Sequence, residues 1–192
     1  MASTPPGQRR LQILQALAAM LEQPKGDKIT TAALARKLEF SEAALYRHFA
    51  SKAQMFEGLI EFIETTVFGF INQIGEQHDD DGLAQARAIV AMLLQFASAN
   101  PGMTRVLIGD ALVNEDERLQ QRMNQFYDRV ELALKNALRM AAAAGQLPEA
   151  DSAARAALLV SFVAGRWHRY AKSGFKHNPA QDAALHIALL LG

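Results

Sequence analysis

The segment from residue 30 to residue 49 most constrains the fold, because it predicts two short helices separated by only about three residues. Thr30 precedes "TAALARKL" and Ser41 precedes "EAALYRHF", and Thr and Ser are residues that commonly cap helix N-termini. The preceding "QRRLQILQALAAMLEQ" (8–23) places leucines on one stripe and predicts an amphipathic first helix. This layout indicates a helix-turn-helix, a motif whose second helix enters the major groove of DNA.

The remainder of the chain is also predicted to be helical, because Ala, Leu, Gln, Glu and Arg dominate it and β-branched runs are scarce. The spacing of Asn114 and Glu117 predicts a capping box that opens a long helix, and Gly145 is expected to end it. The predicted fold is all-α, with a disordered lead (1–8), a three-helix DNA-binding head (9–51) and a six-helix dimerisation and regulatory body (52–192). The six predicted body helices cover 52–75, 83–98, 103–112, 115–144, 151–173 and 180–191.

Charge is unevenly distributed, although the formal net charge of the 192 residues is zero. Residues 1–52 carry eight Lys or Arg and four acids, which gives +4, so the remainder carries −4. A basic head on an acidic body favours an anionic partner for the head. No cofactor, metal or enzyme activity is expected, since the chain has no cysteine, no i, i+4 histidine pair and no catalytic motif. No apolar run is long enough to predict a membrane span.

The second helix of the motif presents polar side chains that suit DNA. Leu45 and Phe49 form its buried i, i+4 pair, so Tyr46 and Arg47 must point elsewhere. Arg47 has the fork geometry for phosphate or guanine, and Lys52 at a helix N-terminus predicts a phosphate site. Structural alternatives remain open: the tyrosine ring could cover the core, His48 could satisfy a local carbonyl, and the charged side chains could simply be solvated. The predicted DNA-binding residues are Thr30, Thr31, Ser41, Glu42, Ala43, Ala44, Tyr46, Arg47, His48 and Lys52.

The stretch "ITTAALARKLEFSEAALYRHFASKAQMF" resembles the DNA-binding head of the TetR family, which are dimeric helical regulators. Glu39 stands where that family usually has Gly, and Ala50 where it often has Pro. If position 39 requires a positive φ, Glu39 costs roughly 1 kcal/mol.

The match extends into the body. "LIEFIE" (59–64) and "NPGMTRVLIGDALVNEDERLQQRMNQFYDRVE" (100–131) resemble one TetR-like group, the nucleoid occlusion factors. The resemblance implies a cytoplasmic, nucleoid-associated dimer that binds DNA and antagonises polymerisation of the tubulin-like division protein FtsZ. It also implies that the FtsZ C-terminal tail binds between helices 52–75 and 83–98. The implied contact residues are Phe62, Phe70, Gln95 and Asn100, of which Phe70 and Gln95, like neighbouring Ala99, differ from the usual types.

A rival interpretation is a transcriptional repressor released by a small-molecule inducer, since most TetR-family bodies hold a ligand pocket. The candidates for such a pocket are Asn124, Tyr127, Trp167 and His168. Core packing is the alternative for the aromatic residues, and also for Phe62 and Phe70.

Two C-terminal segments predict a dimer interface. "SAARAALLVSFVAG" (152–165) places Leu158 and Phe162 on one face, which we expect to meet the domain's own core. We expect its small-residue face to admit a partner helix. "AALHIALLLG" (183–192) is apolar nearly all round and needs cover from a second subunit. A four-helix interface about a two-fold axis would follow, and with it a palindromic DNA site. The predicted small-residue face comprises Ala153, Ala157, Val160 and Ala164.

Overall fold

The computed structural model of the protein describes residues 6–23 and 29–192, and every regular element in these ranges is helical. The all-α prediction is therefore confirmed. Two short 3₁₀ turns, Asp110–Leu112 and Glu149–Asp151, precede the long helices of the second half. The helices are α1 (Pro6–Leu21), α2 (Thr31–Lys37), α3 (Glu42–Tyr46), α4 (Lys52–Gln77), α5 (Gly82–Ala99), α6 (Pro101–Leu107), α7 (Glu117–Ala143), α8 (Ser152–Lys172) and α9 (Ala183–Leu191).

The caps predicted for the helix-turn-helix are present. The Thr30 hydroxyl oxygen accepts a hydrogen bond from the Ala33 amide at 3.1 Å, and the Ser41 oxygen accepts one from Ala44 at 3.2 Å. Helix α3 is shorter than the predicted 42–49, because Arg47 and His48 already belong to a turn. Leu45 and Phe49 are fully buried beside α1 residues such as Leu17, as their spacing predicted.

The start of α4 is fixed by a reciprocal pair of caps. The Ser51 hydroxyl oxygen accepts from the Gln54 amide at 3.2 Å, and the Gln54 side-chain oxygen accepts from the Ala50 amide at 2.9 Å. Lys52 is consequently the first residue of α4. Met55 and Phe56 follow it into the core that α4 shares with the head.

Helix α5 is the central helix of the body. It is long and apolar enough to cross a membrane by length and composition alone, with a mean hydropathy of 1.3 over its 18 residues. Its contacts with α4, α7, α8 and α9 explain this apolar character as that of a core helix. A Cβ atom on Gly82 would lie 2.1 Å from the Ala137 carbonyl oxygen, so glycine lets α5 begin directly against α7.

Head and body meet where α6 lies against α1. A Cβ atom on Gly102 would lie 2.1 Å from the Ala18 carbonyl oxygen of α1, so only glycine fits at this joint. Pro101 occupies the first position of α6, where a missing amide proton costs nothing. This short helix therefore starts directly after Asn100 instead of at the predicted residue 103.

Several predicted boundaries differ from the structure. Residues 6–8 belong to α1, so the predicted disordered lead is wrong there, while residues 1–5 lie outside the described residues. Helix α7 is capped by the Asp116 side chain and not by Asn114, whose φ of 64° takes it out of the helical path. Gly145 does end α7, with a φ of 75° and a 2.9 Å bond from the Gln146 amide to the Ala141 carbonyl.

The faces of α8 differ from the prediction. Leu158 is exposed instead of packing against the domain's own core, and Val160 and Ala164 are half-buried. Small residues on a helix can pack or be exposed equally well, so their spacing did not identify the buried side. The core-facing residues of α8 are Ala156, Leu159, Val163 and Trp167.

Candidate DNA interface and partner groove

Three of the predicted DNA-contact residues form one hydrogen-bonded set across α2 and α3. The Thr31 hydroxyl donates to a Glu42 carboxylate oxygen at 2.8 Å, and the Tyr46 hydroxyl donates to the Thr31 oxygen at 3.5 Å. Tyr46 is 46% exposed, so its ring does not cover the core. Because the Thr31 proton is already donated to a carboxylate, it can reach a phosphate only if that bond breaks.

The head has a cleft of about 340 Å³ lined by residues of α1, the α2–α3 turn, α3 and the turn that follows α3. Arg47 is exposed and His48 half-buried along this cleft, whereas Ala43 is exposed on α3. Thr30 and Ser41 use their side-chain oxygens as caps, which leaves each hydroxyl proton able to donate.

Two arginines that were not among the predicted site residues lie beside the predicted ones. The Arg10 guanidinium donates to the His48 carbonyl at 2.6 Å and stacks over the Phe49 ring at 4.2 Å. The Arg9 guanidinium lies 5.2 Å from the centre of the Phe40 ring and also lines the cleft. The adjacent pair "RR" at the start of α1 was the sequence signal for them, but it says nothing about which way they point.

Lys52 is not free in this structure. Its ammonium contacts the Glu115 carboxylate at 2.5 Å, and the two side chains are only 21% and 12% exposed. Glu115 precedes α7 and belongs to the body. A carboxylate of the body therefore pairs with Lys52, where a DNA phosphate was expected. The predicted phosphate site at the start of α4 is thus occupied by a carboxylate.

A chain of polar contacts joins helix α8 to the head. Lys172 and Arg105 both donate to the Asp110 carboxylate, Arg105 at 2.8 Å, and Arg105 also donates to the Leu21 carbonyl at the end of α1. Partial burial alone would raise the pKa of Asp110, but the hydrogen bonds from Lys172 and Arg105 outweigh it and lower that pKa below its ordinary value.

A groove of about 380 Å³ lies between α4 and α5, and it brings together all four residues predicted to contact the FtsZ tail. Phe62 and Phe70 are each 43% exposed, so the alternative that they are buried core residues is wrong. The Asn100 side-chain amide donates to the Phe96 carbonyl at 2.8 Å and fixes the end of α5 beside the groove. The lining residues are Phe62, Thr66, Phe70, Met92, Gln95, Phe96, Ala99 and Asn100.

The four residues expected to line an inducer pocket do not converge. Trp167 is buried and donates its indole N–H to the Leu93 carbonyl at 3.1 Å. The Tyr127 hydroxyl donates to the Leu107 carbonyl at 3.1 Å, and burial raises its pKa to about 12. Asn124 and His168 are exposed. The two aromatic residues are satisfied parts of the core, and the two polar ones face solvent.

Two family models match the chain. Residues 13–59 match bacterial regulatory proteins of the tetR family, and residues 80–191 match the SlmA-like tetracyclin repressor-like C-terminal domain.

Among curated proteins, the nucleoid occlusion factor SlmA of Alteromonas mediterranea is 48% identical over 175 residues, which cover 91% of this chain and 89% of that protein. The SlmA of Marinomonas sp. is 49% identical over 174 residues, covering 90% and 88%. The SlmA of Vibrio atlanticus is 45% identical over 192 residues, covering 99% and 97%.

Solved structures of low sequence identity share the fold. A TetR family transcriptional regulator, PfmR from Thermus thermophilus, superposes with a TM-score of 0.79 at 19% identity, over 94% of this chain and 97% of that one. The fatty acid degradation regulator FadR from Bacillus halodurans gives a TM-score of 0.78 at 15% identity, over 100% and 97%. The predicted TetR-like fold is confirmed.

Proposed function

Because the chain belongs to the SlmA family of TetR-like proteins, we propose that it acts as a nucleoid occlusion factor that antagonises FtsZ polymerisation over the chromosome. The chain is a DNA-binding protein that forms dimers, and it is not an enzyme. In the proposed function, residues 9–51 hold the DNA and residues 52–192 form the dimer and contact FtsZ in the cytoplasm, beside the nucleoid.

The groove between α4 and α5 is the observation that carries this proposal. It exposes two phenylalanine rings, Phe62 and Phe70, which an isolated soluble body would otherwise bury. Most of its lining side chains are apolar, and Thr66, Gln95 and Asn100 add polar groups. A cleft of this kind suits an extended peptide that offers apolar side chains and a few polar groups, as the C-terminal tail of FtsZ would.

A groove of this size can hold only a few residues of the tail. A single groove is therefore expected to bind the tail weakly, with a dissociation constant of about micromolar or higher. Several dimers on one DNA molecule would raise the effective concentration of grooves and allow many tails to be captured together. The proposed antagonism should therefore be strongest for the DNA-bound protein.

The proposed DNA interface is the face that carries Thr30, Thr31, Ser41, Glu42, Ala43, Ala44, Tyr46, Arg47 and His48, together with Lys52 once Glu115 has released it. Ala43 and Ala44 offer bases only methyl contacts, and Glu42 already accepts from Thr31, so contacts to the phosphate backbone should provide most of the affinity. A symmetric dimer would present two such faces to a palindromic site.

Sedimentation of FtsZ polymer tests the proposal. The DNA should be a fragment that the protein itself selects from a random pool, and the assay should be run with and without it. Phe62→Ala should abolish the loss of pelleted FtsZ while leaving DNA affinity within about twofold, because the ring lies on the groove and not on the head. Leu132→Ala, another exposed apolar residue, on α7, is the matched control and should behave like the parent.

Thermal melting must precede the assay, since an exposed ring should cost little stability when truncated. If Phe62→Ala melts like the parent and still antagonises FtsZ fully, the groove is not the FtsZ site. If the parent protein leaves FtsZ polymer untouched and a small metabolite releases it from DNA, it is instead an inducible repressor.

A further inference from the structure

A polar pocket of about 360 Å³ lies where the α8–α9 connection turns back, and it shares no lining residue with the head motif or the α4–α5 groove. We refer to it as the α8–α9 pocket. Helix α8, the connecting segment and α9 all contribute to it. Its lining residues are Arg166, Arg169, His177, Asn178, Gln181, Asp182 and His186.

The pocket lies in the most basic part of the body. Residues 166–182 carry four Lys or Arg and one acid, a formal charge of +3 in a chain whose formal net charge is zero. One of the four, Lys172, is paired with Asp110. The acid, Asp182, lines the pocket but forms no ion pair with either arginine.

The Arg166 guanidinium is positioned by neutral groups only. It donates to the carbonyls of Pro179 at 2.9 Å, Asn178 at 3.2 Å and Gln181 at 2.6 Å. Carbonyl oxygens satisfy N–H groups but do not cancel the positive charge. This half-buried cation is therefore fixed in place with its charge still available to an anion.

His186 supplies an oriented donor. Its ring packs against Phe162, with the two centres 5.9 Å apart, and its Nδ1 is buried with no hydrogen-bond partner among the described residues. A buried nitrogen without an acceptor is better left as a lone pair, because an unpaired buried N–H is costly. The ring proton is then expected on Nε2, where it can be donated.

Arg169 and His177 complete the site. Both are exposed side chains at the pocket, one on α8 and one on the connection. Two guanidinium groups and two imidazoles from three segments thus surround one space. Guanidinium groups can bind phosphate oxygens with two parallel hydrogen bonds, as Arg169 can here, whereas Arg166 donates its Nε and Nη2 protons to carbonyls and keeps Nη1 for a ligand. The volume is at the lower end of small-molecule sites, roughly 300–1,000 Å³.

From this convergence we propose that the α8–α9 pocket binds a small multivalent anion of the phosphate class. Arg166 and His186 are the positioned donors, and Arg169 and His177 close on the ligand from the mouth. The inference does not depend on the FtsZ-related function. A bound anion would join α8 to α9, the two helices that are predicted to form the dimer interface.

Calorimetric titration of the full-length dimer with inorganic pyrophosphate, at constant ionic strength set with chloride, tests the site. One saturable equivalent per chain and a rise in melting temperature are expected. Arg169→Ala and His177→Ala should each weaken binding about tenfold or more, since each removes a charge-assisted or directed hydrogen bond. Arg139→Ala, an exposed arginine on α7, is the matched control and should bind like the parent.

Three outcomes would overturn the proposal. One is the absence of saturable binding, and another is an equal loss in Arg139→Ala, which would indicate unspecific charge attraction. Loss of binding in Arg47→Ala alone would place the anion on the DNA surface of the head. Light scattering is needed alongside, because dissociation of the dimer by Arg169→Ala would show that the pocket receives a side chain of the partner subunit instead.

Discussion

At the scale of single residues, Glu39 is the clearest strain in the head. Its φ of 56° places it in the left-handed region, in the turn between α2 and α3. The Phe40 amide bonds back to the Ala35 carbonyl at 2.9 Å, which fixes this conformation. The sequence comparison with TetR-like heads anticipated this feature, because glycine is usual at that position.

Glu39→Gly should therefore stabilise the protein by roughly 1 kcal/mol, since glycine adopts positive φ without steric cost. Part of the gain is offset by the greater freedom of glycine in the unfolded chain. Urea unfolding measures the change. Glu39→Ala is the control, because it removes the carboxylate and keeps the strained backbone. If alanine stabilises as much as glycine, the effect comes from lost charge and the strain argument fails.

The contact between Lys52 and Glu115 leads to a second prediction at the scale of single residues, which concerns the affinity for DNA. Glu115 competes with phosphate for the same ammonium, so Glu115→Gln should tighten DNA binding at low salt. It should also steepen the dependence of log K on log salt by about 0.9, the increment of one additional phosphate contact. Fluorescence anisotropy over a salt series gives both quantities.

Lys52→Ala gives the DNA affinity and the salt slope in the absence of the lysine contact. The double variant that combines Lys52→Ala with Glu115→Gln should match Lys52→Ala alone. Weaker binding by Glu115→Gln would mean that the carboxylate holds Lys52 in its DNA-contacting position. An unchanged slope in all three variants would show that Lys52 does not touch DNA.

At the scale of elements, the local sequence was sufficient to predict where a helix begins or ends when a nearby cap residue or apolar stripe defines it. Thr30, Ser41 and Gly145 act as predicted because each interacts with amides or carbonyls a few residues away. The start of α7 was missed because Asn114 adopts a left-handed conformation and Asp116 replaces it as cap.

The features of the site that could not be predicted from the sequence depend on contacts between residues that are far apart in the chain. The partner of Lys52 lies 63 residues away, and no local pattern indicates that Glu115 will reach it. The groove residues were proposed from a family resemblance, and their convergence depends on how α4 packs on α5. The buried side of α8 could not be identified because its small residues occupy several stripes.

The polar contacts that run from α8 through Asp110 and Arg105 to α1 predict that the stability of the fold depends on pH. The pKa of Asp110 is lowered in the folded protein, so its contribution is present at neutral pH and is lost as the pH falls below about 4. Asp110→Asn should destabilise by about 1 kcal/mol at pH 7, a value discounted for solvent exposure. The difference from the parent should shrink toward pH 3.

Urea midpoints at pH 7, 5 and 3 check this expectation. Asp128→Asn, an exposed acid on α7, is the control and should change little at any of them. A difference for Asp110→Asn that stays constant down to pH 3 would mean that the carboxylate charge contributes nothing and that only its shape matters.

At the scale of the whole molecule, α4 and α6 join the head to the body, while α8 and α9 leave an apolar surface uncovered. Leu189 is 75% exposed, and Leu158 and Leu185 are exposed beside the buried Ile187 and Leu191. A helix that buries one apolar side and exposes another needs a second subunit, which agrees with the dimers of the family. The two heads would then be held at a fixed spacing on the DNA.

Leu189→Arg tests where that interface lies. In the monomer the substitution is at an exposed position and should change stability by no more than about 0.5 kcal/mol. In the dimer it buries an unpaired charge twice, at a cost of several kcal/mol each, so the dissociation constant should rise about a thousandfold or more. Light scattering should find monomer or aggregate. Leu132→Arg on α7, where the leucine is also exposed, should remain dimeric. A clean dimer for Leu189→Arg would move the interface away from α9, and the two-headed arrangement on a palindromic site would then need a different axis.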